Sequence, residues 1–161
     1  MSDPSSSSLP LIGWREWIAL PGLGIELIKA KVDTGAQTSA IHASNVEPFE
    51  RDGKRWVRFD VHPYQRDSQT TIHAEAECID GGRRVRSSSG ETEERFVIRT
   101  TMDLFGEPWP VELTLTDRDS MGFRMLLGRE AIRGRCAVDV ARSFVTKRPT
   151  LRRKKTRVRH E

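Results

Sequence analysis

Cysteine is scarce in this chain, with Cys78 and Cys136 the only two. Two thiols do not make a disulfide scaffold, and they suit a reducing compartment. Long apolar runs are missing too: no stretch approaches the roughly 20 residues that a membrane helix requires. The opening residues, MSDPSSSSLP, lack the basic stretch and apolar segment of a signal peptide. There is no His-Glu-x-x-His helix to hold zinc, and no Gly-rich phosphate loop ending in Gly-Lys-Ser/Thr. His42, His62, His73 and His160 are scattered, and Cys78 and Cys136 have no close His partner. These absences predict a cytoplasmic domain with no metal, no cofactor and no membrane contact.

What is present is a chain of 161 residues, most simply one domain. A chain of that size buries about 70% of its unfolded surface and needs no staple to fold. Its net charge of +4 is unevenly spread. The stretch KRPTLRRKKTRVRHE, 147–161, holds eight Lys or Arg and one Glu, a net of +7, so the preceding residues carry −3. A basic block without apolar periodicity reads as a disordered tail suited to polyanions such as RNA. The Ser-rich residues 1–10 read as a disordered start. The folded domain is therefore expected over residues 11–146.

Within that domain the apolar period is mostly two. Val57, Phe59 and Val61 alternate with Arg58 and Asp60; Ile72, Ala74, Ala76 and Cys78 alternate with His73, Glu75 and Glu77. Val111, Leu113 and Leu115 face one way, with Glu112, Thr114 and Thr116 facing the other. RFVIRT and CAVDV read the same way. These are half-buried strands. Turn signals separate them at Asp52-Gly53, Asp80-Gly81-Gly82, Ser89-Gly90 and Gly106-Glu107-Pro108. Helix is expected only around Thr38–Ala43 and Arg129–Ile132, and the four tryptophans, Trp14, Trp17, Trp56 and Trp109, are expected in strands and in the core. The class is all-β, a closed barrel of six or more strands, because many short strands must protect their edges.

One short stretch carries chemistry. KVDTGAQTSA sets Asp33 at the end of a strand whose Ile28, Ala30 and Val32 share a face, and follows it with Thr34, Gly35 and Ala36. Gly35 permits a sharp turn, and Thr34 offers a hydroxyl to tie it down. A carboxylate held rigidly there suits aspartic hydrolysis, in which two such groups share a proton and serve as base and acid. The same residues also suit a plain Asx turn. Downstream, FRMLLGREAI reads as a buried strand containing Leu126 and Leu127, ending at Gly128, with Arg129 opening a short helix.

This order of parts resembles the retropepsin-like aspartic peptidases. More closely, GWREWIALPGLGIELIKAKVDTGAQTSAIHA, FDVHP, SSSGETEERFVIRT and VELTLTDRDSMGFRMLLGREAI are similar to the bacterial family labelled ATP-dependent zinc proteases. The resemblance covers about Gly13 to Val145. It implies an acid-protease barrel with Asp33 catalytic, Thr34 bracing the paired catalytic turns, Gly35 lining the substrate and Leu126–Arg129 threading beside the loop. The zinc and ATP of the family label are not matched by residues in this chain, and the aspartic chemistry is the better fit.

Only one Asp-Thr-Gly is present, so an aspartic dyad requires a homodimer with Asp33 from each chain. The stretch Ile79–Glu94 resembles a flap that closes over substrate, with Gly81, Gly82 and Gly90 as pivots; a plain exposed hairpin is the other reading. Arg83, Arg84 and Arg86, with Ser88, Ser89 and Gly90, would then meet substrate. Facing the cleft, those arginines and Lys29 and Lys31 would favour an acidic peptide. The resemblance adds a substrate: its members are associated with the RimK-type ligase that adds glutamates to a ribosomal protein, and their suggested role is trimming them. The rival reading is a non-catalytic dimeric barrel that binds an acidic or nucleic-acid partner. A pure binder has no use for Asp33, Thr34, Gly35 and the Leu-Leu-Gly segment together, so the enzyme is favoured.

Overall fold

The computed structural model describes residues 9–64, 70–86, 90, 92–117 and 122–146, with the backbone alone at 81–86 and 92–94. The basic tail and all but two residues of the Ser-rich start lie outside the described residues. Strand makes up most of the described residues and helix very little, which establishes the all-β class.

In chain order the strands are β1 (Leu11–Ile12), β2 (Arg15–Leu20), β3 (Ile25–Asp33), β4 (Ser39–His42), β5 (Ser44–Arg51), β6 (Lys54–Val61), β7 (Ile72–Arg86), β8 (Thr92–Leu104), β9 (Glu107–Thr116), β10 (Met125–Gly128) and β11 (Ala137–Val138). One helical turn, α1 (Arg129–Ile132), separates the last two. The large sheet runs β2-β3-β10-β4-β9-β8-β7-β6-β5, and an extra pairing of Ala19 with Asp103 joins β2 to β8. That pairing closes a six-stranded barrel from β2, β3, β10, β4, β9 and β8. Strands β7, β6 and β5 continue outward from it, and β11 pairs in parallel with β1.

The period-two residues behave as their pattern demands. Val57, Phe59, Val61, Ala74, Ala76 and Cys78 are buried and join the barrel residues Ile18, Ile28, Ile41, Ile98, Leu113 and Leu127 in one core. The turn between β5 and β6 is Asp52-Gly53, both at positive φ, and the turn between β8 and β9 is Phe105-Gly106, likewise. Glycine tolerates that left-handed region without steric cost.

Four expectations are corrected. Thr38–Ala43 is not helical: Ser39–His42 is β4, a central strand paired antiparallel with β10 and parallel with β9. Two hydrogen-bond ladders outweigh any local helical preference there. Asp80-Gly81-Gly82 is not a turn but an irregular stretch inside β7, where the register against β8 shifts between Cys78 and Asp80 and again between Asp80 and Arg83. Thr114 and Thr116, expected on a solvent face, are buried because the last four residues of β9 are covered on both sides; Thr114 donates its hydroxyl to the Ser39 carbonyl at 3.2 Å. Of the tryptophans only Trp109 is in the core, its indole donating to Ala131 O at 2.9 Å. Trp17 and Trp56 lie half-buried on strand faces that point away from the core, and Trp14 sits in a bend outside any strand.

Candidate active site

Asp33 is the last residue of β3, half-buried, and Thr34 and Gly35 form an exposed turn beyond it. Two hydrogen bonds shape that turn. The Gly35 N–H donates to Asp33 Oδ1 at 3.0 Å, and the Ala36 N–H donates to the Asp33 carbonyl at 3.1 Å. The first is the Asx turn that the residue types allow, and it orients one carboxylate oxygen. A Cβ at Gly35 would come within 3.2 Å of that oxygen, so glycine lets the carboxylate and the turn backbone approach closely.

The turn is held from below by β10, which lies between β3 and β4 rather than beside either alone. It runs parallel to β3, with Leu126 opposite Lys31, Leu127 opposite Val32 and Gly128 opposite Asp33. It runs antiparallel to β4. The Gly128 N–H donates to Ser39 Oγ at 2.9 Å, and the Arg129 N–H donates to the Ala36 carbonyl at 2.8 Å. The Arg129 guanidinium reaches the carbonyls of Thr34 at 3.4 Å and Gly35 at 3.2 Å. Leu126, Leu127, Gly128 and Arg129 thus meet Asp33, Thr34, Gly35 and Ala36 as one unit.

Gly128 is the tightest point of that unit. A Cβ there would sit 2.5 Å from the Thr38 carbonyl oxygen and 2.6 Å from its carbon, both backbone atoms. Gly128→Ala should therefore push β10 away from the turn at a cost of about 1–3 kcal/mol or more. The check is a thermal melt alongside a peptidase assay. An unshifted melting temperature would show that the strand does not pack this closely.

Sequence reasoning missed Ser39 and Glu16. Ser39 is 2% exposed and ties β10 to β4 through its hydroxyl, a role that residue type alone does not reveal. Glu16 is fully buried on β2 and binds residues far along the chain. The proposed flap is an antiparallel hairpin of β7 and β8, with Arg83 opposite Arg95, Arg84 opposite Glu94 and Arg86 opposite Thr92. Gly90 is exposed at φ 92°, while Ser88, Ser89 and the side chains of Arg83, Arg84 and Arg86 lie outside the described residues.

Other ionisable groups lie elsewhere. Asp60 accepts from Asn45 Nδ2 at 2.8 Å and pairs with His73 Nδ1 at 2.5 Å, and these two hydrogen bonds hold its carboxyl below the ordinary range. This cluster lines a groove of about 660 Å³ with Gly22, Leu23 and Gly24, which precede β3, whereas Asp33 ends it. Nine strand residues separate the two by roughly 30 Å. Burial pushes the Cys136 thiol up to about 11, so it stays protonated at neutral pH. Among the described residues no three His, Cys, Asp or Glu side chains converge.

The model of the RimB-like family, described as retropepsin-like aspartic endopeptidase RimB, matches residues 11–149. The chain belongs to that family. Among its relatives is a protein of Shewanella pealeana named "Probable alpha-L-glutamate ligase", 51% identical over 134 residues, covering 83% of this chain and 29% of that protein. One of the same name from Parasynechococcus marenigrum is 54% identical over 129 residues, 80% of this chain and 28% of that one. The chain thus spans less than a third of the length of these relatives. A solved structure from Legionella pneumophila, Lpg0085, of unknown function, superposes with a TM-score of 0.70 at 28% identity, covering 86% of this chain and 98% of that one. No helix among the described residues is long and apolar enough to cross a membrane.

Proposed function

We propose that this chain is an aspartic-type peptidase that works as a homodimer, one Asp33 from each chain forming the dyad. The observation that carries the reading is the Asp33 turn itself. Its backbone is satisfied from within by Arg129 and Ala36, and Oδ1 is oriented by Gly35. Among the described residues Asp33 Oδ2 and the Thr34 hydroxyl make no hydrogen bond, which leaves both for water, substrate or a second chain. Two carboxylates brought together cannot both ionise easily, so the pair titrates as a unit. The ionised member takes a proton from water as that water attacks the peptide carbonyl. The protonated member hydrogen-bonds the carbonyl oxygen and supplies the proton that the departing amine needs.

The substrate we propose is an acidic, glutamate-rich peptide of the kind borne by a glutamylated ribosomal protein. The relatives support this, because proteins named as glutamate ligases contain this same domain. A ligase forms the bond that a peptidase of this class would break. The decisive assay offers the purified protein a peptide ending in several glutamates and measures release of glutamate or short acidic fragments. Sedimentation should show a dimer under the same conditions. A strictly monomeric protein that cleaves the peptide would overturn the shared dyad.

The tail has a separate role in this reading. Its net charge of +7 would bring the enzyme to ribosomal RNA. Deleting 147–161 should leave the melting temperature unchanged and weaken salt-sensitive binding to RNA. Loss of the cooperative melt would instead make the tail part of the fold.

A further inference from the structure

We infer that Lys31 and its cross-strand neighbour Arg15 form a subsite that seats the carboxylate of a glutamate-like side chain beside Asp33. The inference rests on the peptidase reading and adds which residues select the substrate. Along β3, Ala30 and Val32 face the core, while Lys29, Lys31 and Asp33 share the opposite face. Lys31 is exposed and lies two residues from Asp33, about 6.6 Å along the strand. Arg15 on β2 stands directly opposite Lys31, and Leu126 on β10 stands opposite it on the other side. Directly opposed residues point to the same face. The row Arg15–Lys31–Leu126 therefore lies one step below the catalytic carboxylate.

Two other cations near Asp33 are occupied. The Lys29 ammonium lies over the rings of Trp17 and Phe123, at 5.8 and 5.5 Å. Arg129 holds the turn carbonyls. Arg15 is stacked as well, against Trp14 and Phe144 at 4.6 and 4.8 Å, but stacking engages the faces of a planar guanidinium and not its N–H edge, and its buried Nε has no hydrogen-bond partner. Among the described residues neither Arg15 nor Lys31 makes an ion pair. Glu16, between Trp14 and Trp17 in sequence, faces the core and is bonded to backbone there. Like charges directly opposed on neighbouring strands are unfavourable. An arriving carboxylate would neutralise that pair through charge-assisted hydrogen bonds. Leu126, half-buried in the same row, offers apolar surface to the methylenes of such a side chain.

An extended peptide crossing Asp33 places the side chain next to the scissile bond over this row. The test compares kcat/KM for paired peptides that carry Glu or Gln at that position. The wild-type protein should favour Glu by about 10- to 100-fold. Lys31→Met should bring the ratio close to one, and Lys31→Glu should reverse it in favour of the Gln peptide. A Glu preference that survives Lys31→Met overturns the subsite. So does an equal loss on both peptides with a displaced pH profile, which would assign Lys31 to the ionisation of Asp33. A second measurement separates this inference from the peptidase reading. Binding of the glutamate peptide to the Asp33→Asn protein should weaken at least tenfold when Lys31→Met is added, by roughly the share of one charged hydrogen bond. Weakened binding without any wild-type hydrolysis would keep the subsite and discard the peptidase; unchanged binding would discard the subsite.

Discussion

Asp33→Asn should abolish cleavage of the glutamate peptide while leaving the melting temperature close to that of the wild-type protein. The amide preserves the shape of the carboxylate, and its oxygen can still accept the Gly35 N–H now donated to Oδ1. What it loses is proton chemistry: an amide neither takes the proton of the attacking water nor returns one to the departing amine. General acid and base roles contribute on the order of a hundred- to ten-thousand-fold in rate, and the two roles fail together here. The dyad is shared in our reading, so mixing the variant with tagged wild-type chains should give heterodimers that are inactive too. Chelators should change the rate little, because water is activated by carboxylates. Undiminished cleavage by the Asn variant would remove Asp33 from the mechanism. Complete inhibition by a chelator, reversed by zinc, would replace the aspartic reading with a metal one.

The largest effect on stability should come from Glu16→Ala. The Glu16 side chain is fully buried, yet its carboxylate accepts four hydrogen bonds. They come from the Gly13 N–H at 2.5 Å, the Val145 N–H at 2.9 Å, the Thr146 N–H at 3.0 Å and the Thr146 hydroxyl at 2.8 Å. Residues 142–146 also pair with the start of β2, the Trp14 N–H donating to the Arg142 carbonyl and the Phe144 N–H to the Arg15 carbonyl. Truncating Glu16 removes the buried acceptor of four hydrogen bonds at once, which costs about 3–5 kcal/mol. For a domain of this size that lowers the melting temperature by roughly 10 °C. Glu16→Gln should be nearly as damaging. Each carboxylate oxygen receives two donors, so whichever is replaced by NH2 meets N–H or O–H groups head on. The same strap seats Phe144 on Trp17, at 5.7 Å and nearly parallel, and against Arg15. Loosening it should also lower the Glu preference assigned above to Arg15 and Lys31. A Glu16→Ala protein that melts within about 2 °C of wild type would show that the strap is not held this way.

Both variants bear on how far the chain explains itself. The strands with clean alternation were legible because a half-buried strand needs only its own residues to choose a face: Val57, Phe59 and Val61 go in, Arg58 goes out. The Asp33 turn was legible for a similar reason, since Asp33, Gly35 and Ala36 make its hydrogen bonds within four residues. The Leu126–Arg129 segment could be placed beside it only through resemblance, because that contact spans more than ninety residues.

Tertiary structure decided the rest. Ser39–His42 is a strand because β9 and β10 supply ladders on both of its edges, and neither is near it in sequence. β7 continues through Asp80-Gly81-Gly82 because β8 pairs across the irregularity, which offsets the turn preference of those residues. Trp14 and Trp17 lie on an outer face because Phe123 and Phe144, brought from the far end of the chain, cover them there. Glu16 is buried because its donors arrive from about 130 residues away. Local pattern determined which faces are apolar and where the carboxylate sits. Long-range pairing, whose partners no local window contains, decided which strands are central, which polar groups could be buried, and which cations remain beside Asp33.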